Sequence, residues 1–279
     1  MRVHAVAVTR VRGLVRLEGG YREAPHALAE PPREEVVQAL AALTGQDAAD
    51  WRMRIGQELP WILSFEPDAE RAAALVLECR RRGLGAVSCD VSEASAWAPR
   101  GRALLVLHED GFGFADEARV IPYDAVRAAV FATLDVETST EEIEHVRVTM
   151  NRHAIPRTMP VSSYHRERSR TRALFLVLGG GAPDVRLAQG SLRLVTTGGA
   201  SMGSTSLEVF ARASDALIAR LPGAVRDDRL LNARRGRSGF STASDGVTHT
   251  TSNVRETDLV AHLIGLAWSE AQIDPAGAG

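Results

Sequence analysis

At 279 residues the chain is long enough for one large domain or two ordinary ones, and 45% hydrophobic with 24% charged residues places it among globular proteins. Its formal net charge of −2 gives no bulk attraction to nucleic acid or to an anionic membrane, so any such binding must come from a local patch. All 33 cationic side chains are arginine, which excludes a Schiff-base lysine, a pyridoxal-phosphate anchor and a phosphate-loop lysine, because arginine stays protonated.

No apolar run approaches the roughly 20 residues that a membrane span needs. Arginines are scattered through the first twenty residues where a secretory signal would have an unbroken apolar core, so the expected location is the cytoplasm. Cys79 and Cys89 lack CxxC spacing and read as core thiols.

In chain order, Val3 to Val8 reads as a strand, and a helix is predicted from Arg33 to Leu43, stopped near Gly45. Asp47 can cap a second helix running to Leu59. Residues 61–91 then form a β-α-β unit. Trp61 to Phe65 is a short apolar strand; Pro67, Asp68 and Glu70 mark a helix start; Arg80 to Arg82 and Gly83 mark its end; Ala86 to Val91 is the second strand. The triple arginine complements the helix C-terminus and reads as structural. These pieces predict a small α/β domain over 1–95, with 96–102 as linker.

Residues 103–131 carry three short apolar runs joined by two tight turns, the pattern of an antiparallel meander. Val146 and Val148 suggest a strand, whereas 151–170, with prolines, serines and arginines, reads as a long loop. Thr171 to Leu178 is a strongly apolar strand, and Val185 to Ala188 with Leu192 to Thr196 are two more about a Gln-Gly turn. Thr205 and Glu208 have capping-box spacing ahead of an apolar stripe that ends at Pro222-Gly223. Residues 224–252 read as a flexible linker. Asn253 and Glu256 then cap a terminal helix within 253–279 that docks on the body or on another subunit.

The stretches LLVLHEDGFGFADEARVIPYDAV, ALFLVL, DVRLAQGSLRLV and the helix at 205–221 follow one another in an order that resembles the pleckstrin-homology-like fold. The resemblance covers residues 103–223. It implies an α+β chain in which the small α/β domain precedes a bent antiparallel barrel with a capping helix, and it implies recognition or scaffolding, with no catalytic residue to carry over. Lipid-binding members use a basic loop between early strands, and the corresponding segment here, Glu109 to Asp116, is acidic.

Gly199-Ala200-Ser201-Met202-Gly203 is a G-x-S-x-G between a predicted strand and a predicted helix, the setting of a nucleophile elbow. Asp227 or Asp228, then His249 or His262, follow in the order of acid and base, so a serine hydrolase built on Ser201, Asp228 and His249 is the alternative to a non-enzymatic binder. A hydrolase of that class needs parallel strands before its elbow, and the hairpins of 103–198 oppose it. Gly198 to Thr205 also has phosphate-loop glycines, with Ser204 where lysine is required. His145, His153 and His165 lie near Glu141, Glu142 and Glu144 without metal-ligand spacing, so no metal and no cofactor is expected.

The arginines of 147–172 and 226–237, among them Arg152, Arg157, Arg166, Arg168, Arg234 and Arg235, form two basic clusters that could meet an anionic ligand, a nucleic acid or an acidic partner. The favoured partner is another protein or a second copy of the chain.

Overall fold

A computed structural model describes residues 2–11, 14–17, 20–23, 33–55, 60–92, 103–115, 117–148, 157–179, 185–190, 192–195, 205–221, 223–232, 241–244 and 248–273. The chain is an α+β protein. Its first half contains β1 (His4–Val11), the hairpin β2 (Leu14–Leu17) and β3 (Gly20–Glu23), α1 (Arg33–Thr44), α2 (Ala48–Arg54), β4 (Trp61–Glu66), α3 (Ala69–Arg81) and β5 (Leu84–Asp90).

The helix boundaries there have local causes. Gly45 at φ 68° and Gly83 at φ 76° take the left-handed conformation that ends α1 and follows α3. Asp47 accepts from the Ala49 N–H at 2.7 Å, and Asp68 from the Arg71 N–H at 2.8 Å, each satisfying an N–H that its helix cannot. Trp51, fully buried, donates its indole N–H to Thr44 Oγ1 at 3.0 Å and closes α2 onto α1, while Met53 points outward.

The first sheet has the order β4-β1-β5, with β1 antiparallel to both neighbours. The expected β-α-β unit is therefore split: β4 and β5 run the same way, but β1 lies between them. Alternation along β1 sorts the faces. Val6 and Val8 join Leu40, Trp51, Leu63 and Val76 beneath the three helices, while Ala5 and Ala7 face the opposite side.

The second half begins with β6 (Ala103–Leu107), β7 (Gly111–Phe114) and β8 (Val120–Pro122), followed by one 3₁₀ turn at Tyr123–Ala125. Next come β9 (Val126–Val148), β10 (Arg157–Leu178), β11 (Val185–Ala188), β12 (Leu192–Val195) and α4 (Ser206–Ile218). The chain continues with β13 (Val225–Asp228), a helical turn (Arg229–Asn232), β14 (Ser241–Ser244), β15 (Thr248–Ser252) and α5 (Val254–Ile273).

These strands form two main sheets, ordered β12-β6-β7-β8 and β11-β10-β9-β15-β14, with β13 also paired to β9. Four expectations are corrected here. The strands of 103–223 do not close into a barrel among the described residues, and β12 joins β6 in parallel. The strands around the Gln-Gly turn do not pair with each other, because β11 joins β10 and β12 crosses to the other sheet. The stretch expected as a loop is strand from Arg157 onward, since β10 pairs with β9 along its 22 residues. Residues 241–244 and 248–252, expected in a flexible linker, add two strands beside β9.

Helix α4 seals the core between the two sheets. Thr205 and Glu208 form the expected capping box, and Phe210, Ala213 and Leu217 pack on Leu105, Phe112, Leu174, Leu176 and Leu187. Each large side chain buried there contributes about 1.5–3 kcal/mol.

The terminal helix α5 docks on the body between the first sheet and the six-stranded sheet. Leu259 and Leu263 meet Ala5, Ala7, Val87 and Cys89, while Val260, Ala261 and Ile264 meet Ala128, Val130, Phe175 and Val177. Gly265 lets helix and sheet approach closely, for a Cβ there would sit 2.3 Å from Val177 Cγ2. Asn253 stands at the expected helix start, its backbone carbonyl accepting from the Thr257 N–H at 2.8 Å. Its side-chain oxygen accepts from the Asp135 N–H at 2.7 Å and its side-chain amide donates to Thr133 O at 3.3 Å, which pins the helix start to β9. No helix among the described residues is long and apolar enough to cross a membrane.

Candidate functional site

In the β9–β10 hairpin, six consecutive residues of β10, His165 to Arg170, are exposed. Near its base both strands are apolar on both faces: Ala173, Phe175 and Val177 turn toward α5, and Leu174, Leu176 and Leu178 toward α4. From Arg172 back to His165 β10 carries no apolar side chain, and His165 to Arg170 are exposed. Backbone pairing and cross-strand charge contribute to holding this part.

The period-2 alternation places Arg166, Arg168, Arg170 and Arg172 on one face, the face that carries Leu174 and Leu176 further along. Asp135 and Glu137 share it from β9. Arg168 pairs with Asp135, its Nε donating to Oδ1 at 2.9 Å, and Arg166 Nε lies 2.5 Å from Glu137 Oε1. Each arginine therefore reaches diagonally, past the residue directly opposite it. Arg170 and Arg172 are exposed and have no ion pair among the described residues.

The backbone adds a second property. Arg172 offers both its groups to the outer edge, its carbonyl accepting from the Gln189 N–H at 2.9 Å and its N–H donating to Gln189 Oε1 at 3.0 Å. By alternation, Arg170, Arg168 and Arg166 also direct their N–H and C=O outward. β11 covers β10 only from Ala173 to Leu176, and no other described strand occupies that edge.

Ser201, Arg152, Arg234, Arg235 and His153 lie outside the described residues, as does the phosphate-loop stretch before Thr205. Arg157 opens β10 opposite Val148, at the far end of the arm. The serine-hydrolase relay loses two of its members to geometry. Asp228 follows Asp227, which pairs with Val130 of β9, whereas His249 pairs with Ser139. Nine residue steps of strand separate Val130 from Ser139, about 30 Å at the usual rise, far beyond hydrogen-bond reach.

Asp227 is spoken for. It is fully buried, accepts from Arg229 Nε at 2.8 Å and Nη2 at 2.5 Å, and also accepts from Trp268 Nε1 at 3.0 Å. A second buried pair joins β11 to α5, Arg186 Nη1 donating to both Asp258 oxygens at 2.7 and 2.8 Å. Burial pushes the Asp258 carboxyl above its ordinary range against the pull of that guanidinium. Both pairs are structural clasps on the terminal helix.

The triple arginine is likewise absorbed: Arg80 donates to Ala86 O at 2.9 Å, and Arg81 and Arg82 pair with Glu78. Among the described residues no three His, Cys, Asp or Glu side chains group as metal ligands.

Arg170 and Arg172 are the residues that the reading of single candidates passed over. The signal was present in R-E-R-S-R-T-R from 166 to 172, where arginine recurs at the period of a strand. Comparison of the chain with protein-family models, curated proteins and solved structures returned no match.

Proposed function

We propose that the protein is a non-enzymatic binding or scaffold protein, located in the cytoplasm, whose recognition element is the outer half of the β9–β10 arm. The observation that carries this reading is the run His165 to Arg170 of a 22-residue strand, exposed along its length, with arginine at every second position on one face. Ordered structure of this kind is maintained at a cost in conformational entropy and suits a contact surface. What supports a pleckstrin-homology-like recognition module in the second half is the chain order alone, strands β6 to β12 followed by α4, since the sheets there are not closed into that fold's barrel among the described residues. The partner is another protein.

A photo-crosslinking residue placed at His165 of the full chain, beside a control at exposed Arg71 on α3, tests the reading in extract of the source cells. A discrete adduct from position 165 that position 71 does not give is the expected result. A fluorophosphonate probe provides the opposing test: labelling of the wild type that disappears in Ser201→Ala would overturn the non-enzymatic assignment.

A further inference from the structure

The outer edge of β10 combines two features that recognise the same kind of molecule. Its backbone groups at Arg166, Arg168 and Arg170 face outward at strand spacing, and the side chains of these residues and of Arg172 line one face. Acids of β9 engage Arg166 and Arg168, leaving Arg170 and Arg172 without an ion pair among the described residues, beside an edge that no described strand covers. We infer that this edge takes up an acidic, extended peptide segment as an additional antiparallel or parallel strand, with the peptide's carboxylates on the arginine face. The inference rests on the binding role proposed above and names the partner's chemistry.

Charge decides between this occupant and its competitors. Edge strands commonly carry charges that repel neighbouring strands. A single sign repels selectively. Two copies of β10 laid edge to edge in antiparallel fashion would set arginine against arginine, and like charges directly opposite are destabilising. A basic segment is repelled for the same reason. An acidic strand gains both the main-chain hydrogen bonds of strand addition and the guanidinium contacts. Gln189 marks where the site begins, because its backbone and side chain close the Arg172 position and leave the next outward residue, Arg170, as the first that no described strand covers.

The test uses the full chain and a fluorescein-labelled eight-residue peptide alternating valine with glutamate, followed by fluorescence anisotropy. Three comparison peptides are needed: one with lysine for glutamate, one N-methylated at two alternate residues, and one N-methylated at the two intervening residues. Expected are saturable binding of the acidic peptide, none of the lysine peptide, and a loss of about tenfold or more for one of the two methylated forms, whose missing N–H groups would face β10. Arg170→Glu combined with Arg172→Glu should weaken the acidic peptide at least about tenfold and admit the lysine peptide. Backbone amide exchange should slow at Arg166, Arg168 and Arg170 when peptide is present.

Equal binding of all methylated and unmodified acidic peptides would show a diffuse anion patch and overturn strand addition. Equal binding of acidic and basic peptides, or of neither, would overturn the charge argument. A self-associated chain that protects the same amides without peptide would assign the edge to a second copy. A position-165 adduct obtained while every peptide fails would leave the binding role standing and reject this inference alone.

Discussion

Removing Asp227 is expected to unfasten the terminal helix from the sheet. Its carboxylate is 0% exposed, its guanidinium partner on Arg229 is 5% exposed, and Trp268 of α5 donates an indole N–H to the same carboxylate. Asp227→Ala leaves a buried guanidinium without that counter-charge, a change that costs about 3–5 kcal/mol. It also removes the indole's acceptor, worth about 1 kcal/mol more. Taking about 4 kcal/mol, and an unfolding entropy of about 2.1 cal/mol/K per residue over 279 residues, the melting temperature falls by about 7 °C.

Thermal and urea unfolding followed by circular dichroism measure the loss. Most of the loss comes from the stranded charge, so Asp227→Leu combined with Arg229→Met should cost less than Asp227→Ala alone. A fall below about 2 °C for Asp227→Ala, or a double variant as damaged as the two singles added, would refute it.

Gly265→Ala should destabilise by about 1–3 kcal/mol, because its Cβ enters the space of Val177, and Val177→Ala in the same chain should restore part of that loss in urea unfolding. The Arg52 guanidinium holds the exposed Glu34 carboxyl at about 2. Since the folded value lies below the unfolded one, the stabilisation is present above the unfolded pKa and disappears as pH falls through about 2; Arg52→Ala should move the carbon-detected NMR titration of Glu34 up toward the ordinary carboxylate range, with the Gln38 hydrogen bond still lowering it. Burial pushes the Cys79 thiol up to about 11, and Cys89 is buried as well, so a thiol reagent near neutral pH should label both only after urea unfolding.

The features legible from single stretches are those whose physical partners lie within a few residues. Asp47, Asp68 and the Thr205–Glu208 box satisfy N–H groups one turn away, so the helices they start could be placed from residue type and spacing. The meander of β6 to β8 closes through tight turns and was equally local. The basic cluster around 166–172 was visible as composition. Its alignment on one face required knowing that the segment is a strand, and its exposed side chains carried no apolar alternation to say so.

Pairings between distant residues depended on the assembled molecule. β1 separates β4 from β5, β12 leaves β11 to join β6, and β15 adds to β9 across more than a hundred residues of chain. Main-chain N–H and C=O groups are nearly alike at every non-proline position, so a strand's own residues do not name its neighbour. The choice belongs to the apolar faces that must be covered at once: α5 buries one side of both sheets, and the strands take the order that lets it do so.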